Sequence, residues 1–395
     1  MRSNGMHEAP GQLLKTIKLY IPDLWSAKAH SASFRETRSG YLRSRITMLA
    51  CVWGVLVIAW IPFDLLFLPS GHGEAIALSR ALLGAFLFAL ARANHQQTSL
   101  RHAQLCMSLL VIGLNLFYLH AVWQLDFPLV YSGFIYGYTL LPIIHVAVLT
   151  ILPVTLKESL GLLAITAATQ LYVDQQAGRI FTPENLADYW LQNVLALMVL
   201  WSQLSKLYML MRLYRQATLD PLTGVYNRRM LLQQAQKSLQ LCDIKKQPFS
   251  VLIFDIDKFK RINDTWGHST GDKVLRGFAT FLQGNIRKSD LFGRYGGEEF
   301  VLFLPNCNAD NAQQIADRML SAIRQLDLPT GYDQSTLHIT TSIGIASYTN
   351  GDTLSSMMER ADRALYECKD SGRDCARYHS VGYRYAGDER RKAVA

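Results

Sequence analysis

Charged residues are scarce in this sequence, and their scarcity excludes several classes of protein. Asp, Glu, Lys and Arg make up 18% of the 395 residues, while 50% are hydrophobic, which is too apolar for a chain that is soluble throughout. The formal net charge of +9 comes without a basic stripe interleaved with aromatic side chains, so we expect no nucleic-acid partner. The basic residues lie instead beside apolar segments, as in membrane proteins.

Cysteines are also few, and their spacing excludes the common zinc and dithiol patterns. No CxxC pair occurs among the six, which are Cys51, Cys106, Cys242, Cys307, Cys368 and Cys375. We therefore expect reduced thiols facing a cytoplasm. Residues 1–45 are polar and basic without an early apolar core, so we expect a cytoplasmic amino-terminal segment and no cleavable signal peptide.

Long apolar runs are abundant between residues 46 and 210. A helix needs about 20 apolar residues to cross about 30 Å of hydrocarbon. Six segments qualify, although the fifth is short enough to be re-entrant: Ile46–Leu68, Ala75–Ala93, Gln104–Trp123, Pro128–Leu152, Ser159–Val173 and Tyr189–Leu210. The sequence therefore predicts a multi-pass α-helical membrane domain over 46–210 that contacts the lipid bilayer. We expect it to anchor the chain or to receive a small-molecule or protein signal that the sequence does not identify.

Basic residues concentrate in alternate connections of these segments. They occur before the first segment, in the second and fourth connections and after the last segment, so the positive-inside rule places both termini in the cytoplasm. Within the segments, Asp64 and Arg80 lie at similar depth, and two isolated charges there would be costly. We therefore predict that they form an ion pair.

Residues 204–219 predict a helical linker. Leu204, Leu207, Met211 and Tyr214 are spaced three to four apart, which suits either a short coiled coil with a second copy or simply the end of the last membrane helix. Pro221 and Gly224 then end the pattern.

Residues 220–380 alternate predicted strands and helices. We expect an α/β (α+β) domain with a central mixed or antiparallel sheet flanked by helices, and a disordered tail over 381–395. The predicted elements are helix Asn227–Leu241, strand Phe249–Asp255, helix Gly271–Ile286, hairpin Leu291–Leu304, helix Ala309–Leu326, strand Leu337–Tyr348 and helix Thr353–Asp370.

Three polar clusters in this domain carry the chemistry. Asp255 ends a buried strand and suits a hard cation such as Mg²⁺. The hairpin RYGGEEF brings Glu298 and Glu299 behind two glycines, and Lys369 and Arg373 lie one helical turn apart. A helix cap, a plain turn and a solvated face would explain each cluster singly. Together they supply carboxylates for metal and cations for phosphates, which nucleotidyl transfer requires.

The runs DPLTGVYNRR, FDIDKFKRINDTWGHSTGD, GGEEF, TTSIGIA and ADRALYECKDSGRD resemble the GGDEF-domain diguanylate cyclases from Asp220 to Tyr378. The resemblance implies an enzyme at the bacterial inner membrane, with its GGDEF domain in the cytoplasm. It would join two GTP into cyclic di-GMP in a head-to-head homodimer and release pyrophosphate. Two departures are visible, Asp374 where the family commonly has Asn and Cys368 where it often has Ala.

The resemblance also implies roles for individual residues. Mg²⁺, replaceable by Mn²⁺ and expected twice per half of the dimeric site, would be held by Asp255, the carbonyl of Ile256 and Glu298. The catalytic residues would be Glu298 as base, Glu299 as support and Lys260 facing the phosphate. Substrate contacts would come from Asn263, His268, Asp272, Gly296, Gly297, Lys369 and Arg373. Arg287 and Asp290 match the family's inhibitory product site, although an exposed Arg–Asp pair is the alternative.

Other functions remain open at this stage. The first alternative is a catalytically silent membrane receptor domain that binds GTP or cyclic di-GMP, and intact GGEEF, Asp255 and Lys369 disfavour it. A transporter with a regulatory tail is disfavoured by the scarcity of intramembrane charge. Cyclisation of another nucleotide is disfavoured by the pair Asn263 and Asp272.

Overall fold

The computed structural model describes residues 21–127, 133–329 and 336–379. The predicted disordered tail, 381–395, lies outside the described residues. Contacts divide the chain into two units, Met1–Tyr214 and Arg215–Ala395, and each is described by itself.

In the described residues the first unit consists of helices joined by short connections. Pro62 and Pro142 each lie in the first turn of a helix, where a proline needs no hydrogen-bond partner and begins a new helix after the previous one ends. The helices are α1 Ala32–Ala59, α2 Ile61–Phe67, α3 His72–Gln96, α4 Leu100–Gln124, α5 Tyr136–Thr139, α6 Leu141–Val148, α7 Leu156–Gln176 and α8 Pro183–Thr218.

Five helical stretches of the described residues are long and apolar enough to cross a membrane, judged by length and composition alone. They are Ser33–Phe67, His72–Gln96, Leu100–Gln124, Gly133–Ile151 and Pro183–Thr218. They overlap five of the six predicted segments, although 128–132 lie outside the described residues. The remaining predicted segment, Ser159–Val173, lies within α7, which has 21 residues and is not among the five.

Buried charges in this unit are paired. The predicted ion pair is confirmed, because Nε of Arg80 donates to Oδ2 of Asp64. Tyr138 completes the group by donating its hydroxyl to Oδ1 of Asp64 at 2.7 Å. A second pair joins buried Arg38, one of the basic residues before the first predicted segment, to Glu158.

The apolar stripe of the predicted linker is partly covered within the chain. Helix α8 runs without interruption through this region, and Leu207 and Met211 are buried against Phe34. The Phe34 and Tyr214 rings lie 5.2 Å apart. Two of the four residues of this stripe thus pack on α1, while Leu204 and Tyr214 are half-buried, and pairing with a second copy stays a prediction.

The second unit contains a mixed sheet, as predicted. Its six strands follow the order β1-β3-β4-β2-β7-β8, and β5 and β6 form a separate hairpin. Among the described strands of this sheet, the pairs β1–β3 and β7–β8 are parallel and the other pairs are antiparallel. The strands are β1 Tyr226–Asn227, β2 Phe249–Ile256, β3 Leu291–Arg294, β4 Glu299–Pro305, β5 Asp327–Pro329, β6 Thr336–His338, β7 Thr341–Ser347 and β8 Ala376–Tyr378.

Helices cover both faces of this sheet, which explains why β2 is buried at every position. Leu252 and Phe254 face one core cluster together with α11 and α12, while Val251 and Ile253 face a second cluster with α9 and α13. The helices are α9 Arg228–Ile244, α10 Phe259–Trp266, α11 His268–Gly284, α12 Ala309–Ile323 and α13 Leu354–Asp370. Helix α10 and the short strands β1, β5 and β8 were not predicted.

Candidate active site

Three carboxylates meet where β2 ends and β4 begins. Asp255 is the direct cross-strand partner of Glu299, and the main-chain N–H of Ile256 donates to the carbonyl of Glu298 at 3.5 Å. Antiparallel pairing brings the end of one strand beside the start of the next. The structure thus brings together Asp255, Ile256, Glu298 and Glu299, which the sequence had placed in two separate segments.

The turn before β4 is held by main-chain and guanidinium contacts. The N–H of Tyr295 donates to the carbonyl of Glu299 at 2.8 Å, and Arg294 donates to the carbonyl of Gly297 at 3.1 and 2.6 Å. A side chain at Gly296 would place its Cβ 2.5 Å from Oε2 of Glu299, whereas a Cβ at Gly297 meets nothing within 4 Å. Gly296 therefore makes room for Glu299. The predicted approach of substrate phosphates at both glycines stays a prediction.

Burial and mutual repulsion raise the pKa of each carboxyl group in this cluster. Burial raises the pKa of Asp255, and the charge of Asp257 acts in the same direction. For Glu298 and Glu299 burial again raises the pKa, followed by the charge of Asp255. Lys369 opposes the shift, since its Nζ lies 2.7 Å from Oδ2 of Asp255. The cluster therefore favours additional positive charge.

This donor set fits a divalent cation. Carboxylate and carbonyl oxygens are the ligands that Mg²⁺ prefers, and phosphates of a substrate commonly complete its shell. Among the described residues, no group of three or more His, Cys, Asp or Glu side chains is placed to hold a metal ion. The predicted set needs only the side chains of Asp255 and Glu298 with the carbonyl of Ile256.

The two predicted phosphate-binding cations lie at the end of α13. Lys369 contacts Asp255, as described, and Arg373 is exposed. Gly372, Arg373 and Asp374 follow one another with φ of 111°, 69° and 49°. The N–H of Arg373 donates to the carbonyl of Cys368 at 3.0 Å, which closes the turn. Their predicted contact with phosphate remains a prediction.

Sequence reasoning missed Asp257, which anchors this turn. Asp257 is only 7% exposed. Its Oδ1 accepts from the Ser342 hydroxyl at 2.7 Å, and its Oδ2 accepts from the Thr340 hydroxyl at 2.8 Å and from the N–H of Asp374 at 3.0 Å. Asp257 thus connects the end of β2 with β7 and with the turn that carries Arg373. The repeated Asp in FDID was the available signal.

Two further contacts hold the same turn, and both involve the departures from the family pattern. Arg324 donates to both carboxylate oxygens of Asp374 at 3.0 Å and to its carbonyl at 2.8 Å. Cys368 and Cys375 form a disulfide, with Cα atoms 5.8 Å apart. The expectation of reduced thiols is therefore wrong for this pair, because the turn after α13 folds Cys375 back beside Cys368. The other four cysteines are free.

The predicted guanine-binding residues lie on α10 and α11. Gly267, with φ of 77°, joins these helices in a conformation that suits glycine. Asn263 is half-buried against Gly271, where any added Cβ would collide with its amide oxygen. Asp272 follows directly and is also half-buried. His268, at the start of α11, and Lys260, on α10, are exposed.

The predicted inhibitory pair lies beside a cavity of about 410 Å³. Asp290 accepts from the main-chain N–H of Arg287 at 2.8 Å, and within the described residues it accepts nothing from the guanidinium. The alternative of an Arg–Asp side-chain pair is therefore not observed. Arg287, in the loop after α11, lines this cavity together with Arg318 of α12, which sequence reasoning missed because it is distant along the chain.

The second unit matches known proteins in sequence. The family described as "Diguanylate cyclase, GGDEF domain" matches residues 217–375. Response regulator PleD of Caulobacter vibrioides is 41% identical over 159 residues, covering 40% of this chain and 35% of PleD. Diguanylate cyclase A of Treponema denticola is 42% identical over 131 residues, covering 33% and 35% respectively.

A solved structure gives a similar match. The GGDEF domain of DgcB from Caulobacter crescentus, in complex with c-di-GMP, is 31% identical with a TM-score of 0.41, covering 42% of this chain and 97% of that one. The chain spans about a third of the length of the two curated relatives above. Residues 217–375 of this chain form a GGDEF domain.

Proposed function

We propose that this chain is a diguanylate cyclase, which condenses two GTP into cyclic di-GMP and releases two pyrophosphates. The observation that carries the proposal is the meeting of Asp255, Glu298 and Glu299 with Lys369 at the end of β2, within a domain of the GGDEF family.

The reaction makes two phosphodiester bonds by the same chemistry. The 3′-oxygen of one GTP bonds to the α-phosphorus of the other, and the bond from that phosphorus to pyrophosphate breaks. Glu298 takes the hydroxyl proton. A raised pKa suits this role, because a base with higher affinity for the proton drives the transfer further. Lys260, Lys369 and Arg373 offset the negative charge of the phosphates.

We propose Mg²⁺, with Mn²⁺ as a substitute, as the cation held by Asp255, Glu298 and the carbonyl of Ile256. It would supply Lewis-acid stabilisation of the phosphate oxygens and acidify the attacking hydroxyl. The chain's own part is to hold the oxygen donors rigidly, since Asp255 lies within the paired part of β2 and Glu298 immediately before β4.

A homodimer follows from the symmetry of the product. Cyclic di-GMP contains two equivalent phosphodiesters, while each domain holds one set of Asp255, Glu298 and Glu299. We propose that two chains face each other, each binding one GTP. Asn263 and Asp272 would hydrogen-bond guanine, with His268 near the nucleoside.

We also propose product inhibition at the cavity beside Arg287. Arg287 and Arg318 line it, and the planar guanidinium forks suit phosphates and guanine edges. Asp290 accepts a hydrogen bond from the main-chain N–H of Arg287 and thereby fixes the backbone position from which the Arg287 side chain extends.

The membrane is the proposed location of the first unit. We propose six crossings in the bacterial inner membrane, formed by the five apolar stretches and α7, with both termini and the GGDEF domain in the cytoplasm. This count agrees with the distribution of Lys and Arg between the connections. Thiol labelling of single cysteines placed at 178 and at 395 of a cysteine-free variant tests it. The first should react from outside the cell and the second only after the membrane is opened.

The cyclase proposal is tested on the full-length protein in lipid nanodiscs with GTP and Mg²⁺. We expect cyclic di-GMP as the product, and no product from Glu298→Gln, which should still bind GTP. Glu359→Gln is the matched control, because Glu359 is exposed on α13. Binding of GTP without product by the unmodified chain would contradict the proposal and favour the silent receptor. Substantial product from Glu298→Gln would contradict the role of Glu298 alone.

A further inference from the structure

A cavity of about 490 Å³ lies among the helices of the first unit. It is bounded by α1, α3, α4, α5 and α6, and a site for a small molecule typically has roughly 300–1,000 Å³. Five of its 15 lining residues carry Phe, Tyr or Trp rings and most of the others are aliphatic; the five are Trp53, Trp60, Phe117, Phe134 and Tyr138. Flat aromatic walls favour a flat ring as the occupant.

Two nitrogen-bearing side chains of this wall have unused hydrogen-bonding capacity. Arg80 is 7% exposed, and its Nε and Nη2 are engaged by Asp64 and Tyr138. Within the described residues, its Nη1 donates to no partner. His145 is 3% exposed, its Nδ1 is buried without a partner, and no hydrogen bond from its ring is found in the described part of the chain. Buried polar groups are nearly always hydrogen-bonded, so the buried Nδ1 of His145 points to a ligand. Arg80, whose guanidinium lies 4.7 Å from the centroid of the Phe117 ring, adds an Nη1 donor to the same wall.

The charge of the wall limits what that ligand is. Asp64 already neutralises Arg80, and its second oxygen accepts from the Tyr138 hydroxyl. An anionic ligand would add an uncompensated charge inside the unit, which is costly. The imidazole of His145 offers one N–H donor in either neutral tautomer, and Arg80 offers Nη1. The polar partners therefore suit an uncharged molecule with two acceptor oxygens.

We propose that this cavity binds an uncharged, membrane-soluble molecule with a flat ring and two carbonyl oxygens, which is the chemistry of a quinone. Arg80 donates to one carbonyl, His145 donates to the other, and the aromatic side chains contact the ring. The proposal concerns the first unit alone and does not depend on the cyclase proposal.

The test compares two probes of nearly the same shape. One is 2,3-dimethyl-1,4-naphthoquinone, whose blocked ring positions prevent addition to thiols, and the other is 2,3-dimethylnaphthalene, which lacks both oxygens. Binding is measured on the full-length protein in phosphatidylcholine nanodiscs, by saturable quenching of tryptophan fluorescence for the quinone and by competition for the hydrocarbon. Trp53 and Trp60 line the cavity. We expect the hydrocarbon to bind at least about tenfold more weakly, since it forms neither hydrogen bond.

Two variants locate the binding. His145→Phe keeps a ring but removes both nitrogens, so it should weaken the quinone about fivefold and leave the hydrocarbon unchanged. Gly137→Leu should block both probes, because Gly137 lines the cavity and a Cβ there meets nothing within 4 Å. Gly40→Leu, at an exposed position of α1 that also has space for a Cβ, is the matched control and should bind like the unmodified chain.

Several results would overturn the proposal, and the first needs no variant. Equal affinity of the unmodified chain for the two probes, or no saturable binding of the quinone, would exclude recognition of the carbonyl oxygens. Undiminished quinone binding by a folded Gly137→Leu variant would place the site elsewhere. Size-exclusion chromatography and circular dichroism establish that each variant is folded.

Discussion

Replacing Asp257 tests whether a buried carboxylate holds the turn that carries Arg373. Asp257→Leu is similar in volume but removes all acceptors for Ser342, Thr340 and the N–H of Asp374. Asp257→Asn keeps one acceptor oxygen, which can still receive Thr340 and Asp374, while its amide meets the Ser342 hydroxyl. The two variants therefore separate loss of the turn's anchor from loss of the charge.

The magnitude follows from which donors lose their partner inside the protein. A buried donor left without an acceptor costs about 1–3 kcal/mol. Ser342 is fully buried and loses its partner in full, whereas Thr340 and Asp374 are half-buried and can partly turn to water. We expect Asp257→Leu to lower the free energy of unfolding by about 2–4 kcal/mol and Asp257→Asn by about 1 kcal/mol.

The assay has a stability arm and a substrate arm. Urea unfolding of a chain beginning at Arg215, where the second unit starts, gives the free energies. GTP turnover by the full-length protein gives KM and kcat. We expect a severalfold rise in KM for Asp257→Leu and a KM near that of the unmodified chain for Asp257→Asn, because only the former releases Asp374. Asp317→Leu, at an exposed aspartate of α12, is the control and should change stability by less than about 0.5 kcal/mol.

The reasoning is refuted if Asp257→Leu and Asp257→Asn are equally stable, because the free energy of unfolding would then not depend on the number of hydrogen-bond acceptors lost. A stable Asp257→Leu variant with an unchanged KM would show that the turn keeps its conformation without this anchor.

Three other predictions follow from the same unit. Burial raises the pKa values of Asp255, Glu298 and Glu299, so the metal-free domain should gain stability as pH falls through these raised values, while Mg²⁺ binding weakens. Calorimetry at several pH values measures both effects. A Mg²⁺ affinity that does not depend on pH would contradict this prediction. Gly344→Ala should lower the free energy of unfolding, measured in urea, by about 2–3 kcal/mol, because its Cβ would collide with the main-chain oxygen of Ala361 in α13. Gly297→Ala is the comparison variant and should lower it less, because a Cβ at Gly297 has space. Arg287→Ala and Arg318→Ala should each weaken inhibition by added cyclic di-GMP about tenfold or more without lowering initial rates; unchanged inhibition in both would exclude this cavity.

Regular, long elements of the second unit were predictable because their periodicity is local. The strand FSVLIFDI and the hairpin around Gly296 lie close to their predicted positions. The predicted proximity of Asp255 to the hairpin glutamates agrees with the pairing of Asp255 with Glu299. Strands β1 and β8 have only two and three residues, too few to show any alternation. Helix α10 has eight residues and lies between a strand end and a glycine, which leaves too few turns to show a clear helical periodicity.

The anchoring of the Arg373 turn could not be predicted because its contacts are distant in sequence. Asp257 and Asp374 are separated by 117 residues, and Arg324 and Asp374 by 50. No local pattern links such positions. The disulfide is closer, with a separation of seven, but the spacing is not a CxxC motif, and on a continuous helix it would hold the two residues about 10 Å apart, too far for a disulfide. Only the three consecutive positive φ values that fold the chain back bring the two sulfurs together.

Helix α7 shows why hydropathy alone is a weak guide to the first unit. Its buried positions include Ser159, Thr166, Gln170 and Asp174, whereas Leu160, Leu171 and Tyr172 are about half exposed. Ser159 contacts Gln203 of α8, and Thr166 accepts from Asn115 of α4 at 3.2 Å. A mean hydropathy averages the polar inner face with the apolar outer face, and therefore undervalues a helix of this kind. In a bilayer the outer face is the one that meets lipid, and polar contacts between helices are satisfied within the bundle. At 21 residues and 1.5 Å per residue, α7 is about 30 Å long, so its length and its outer face both suit a crossing that its average composition conceals.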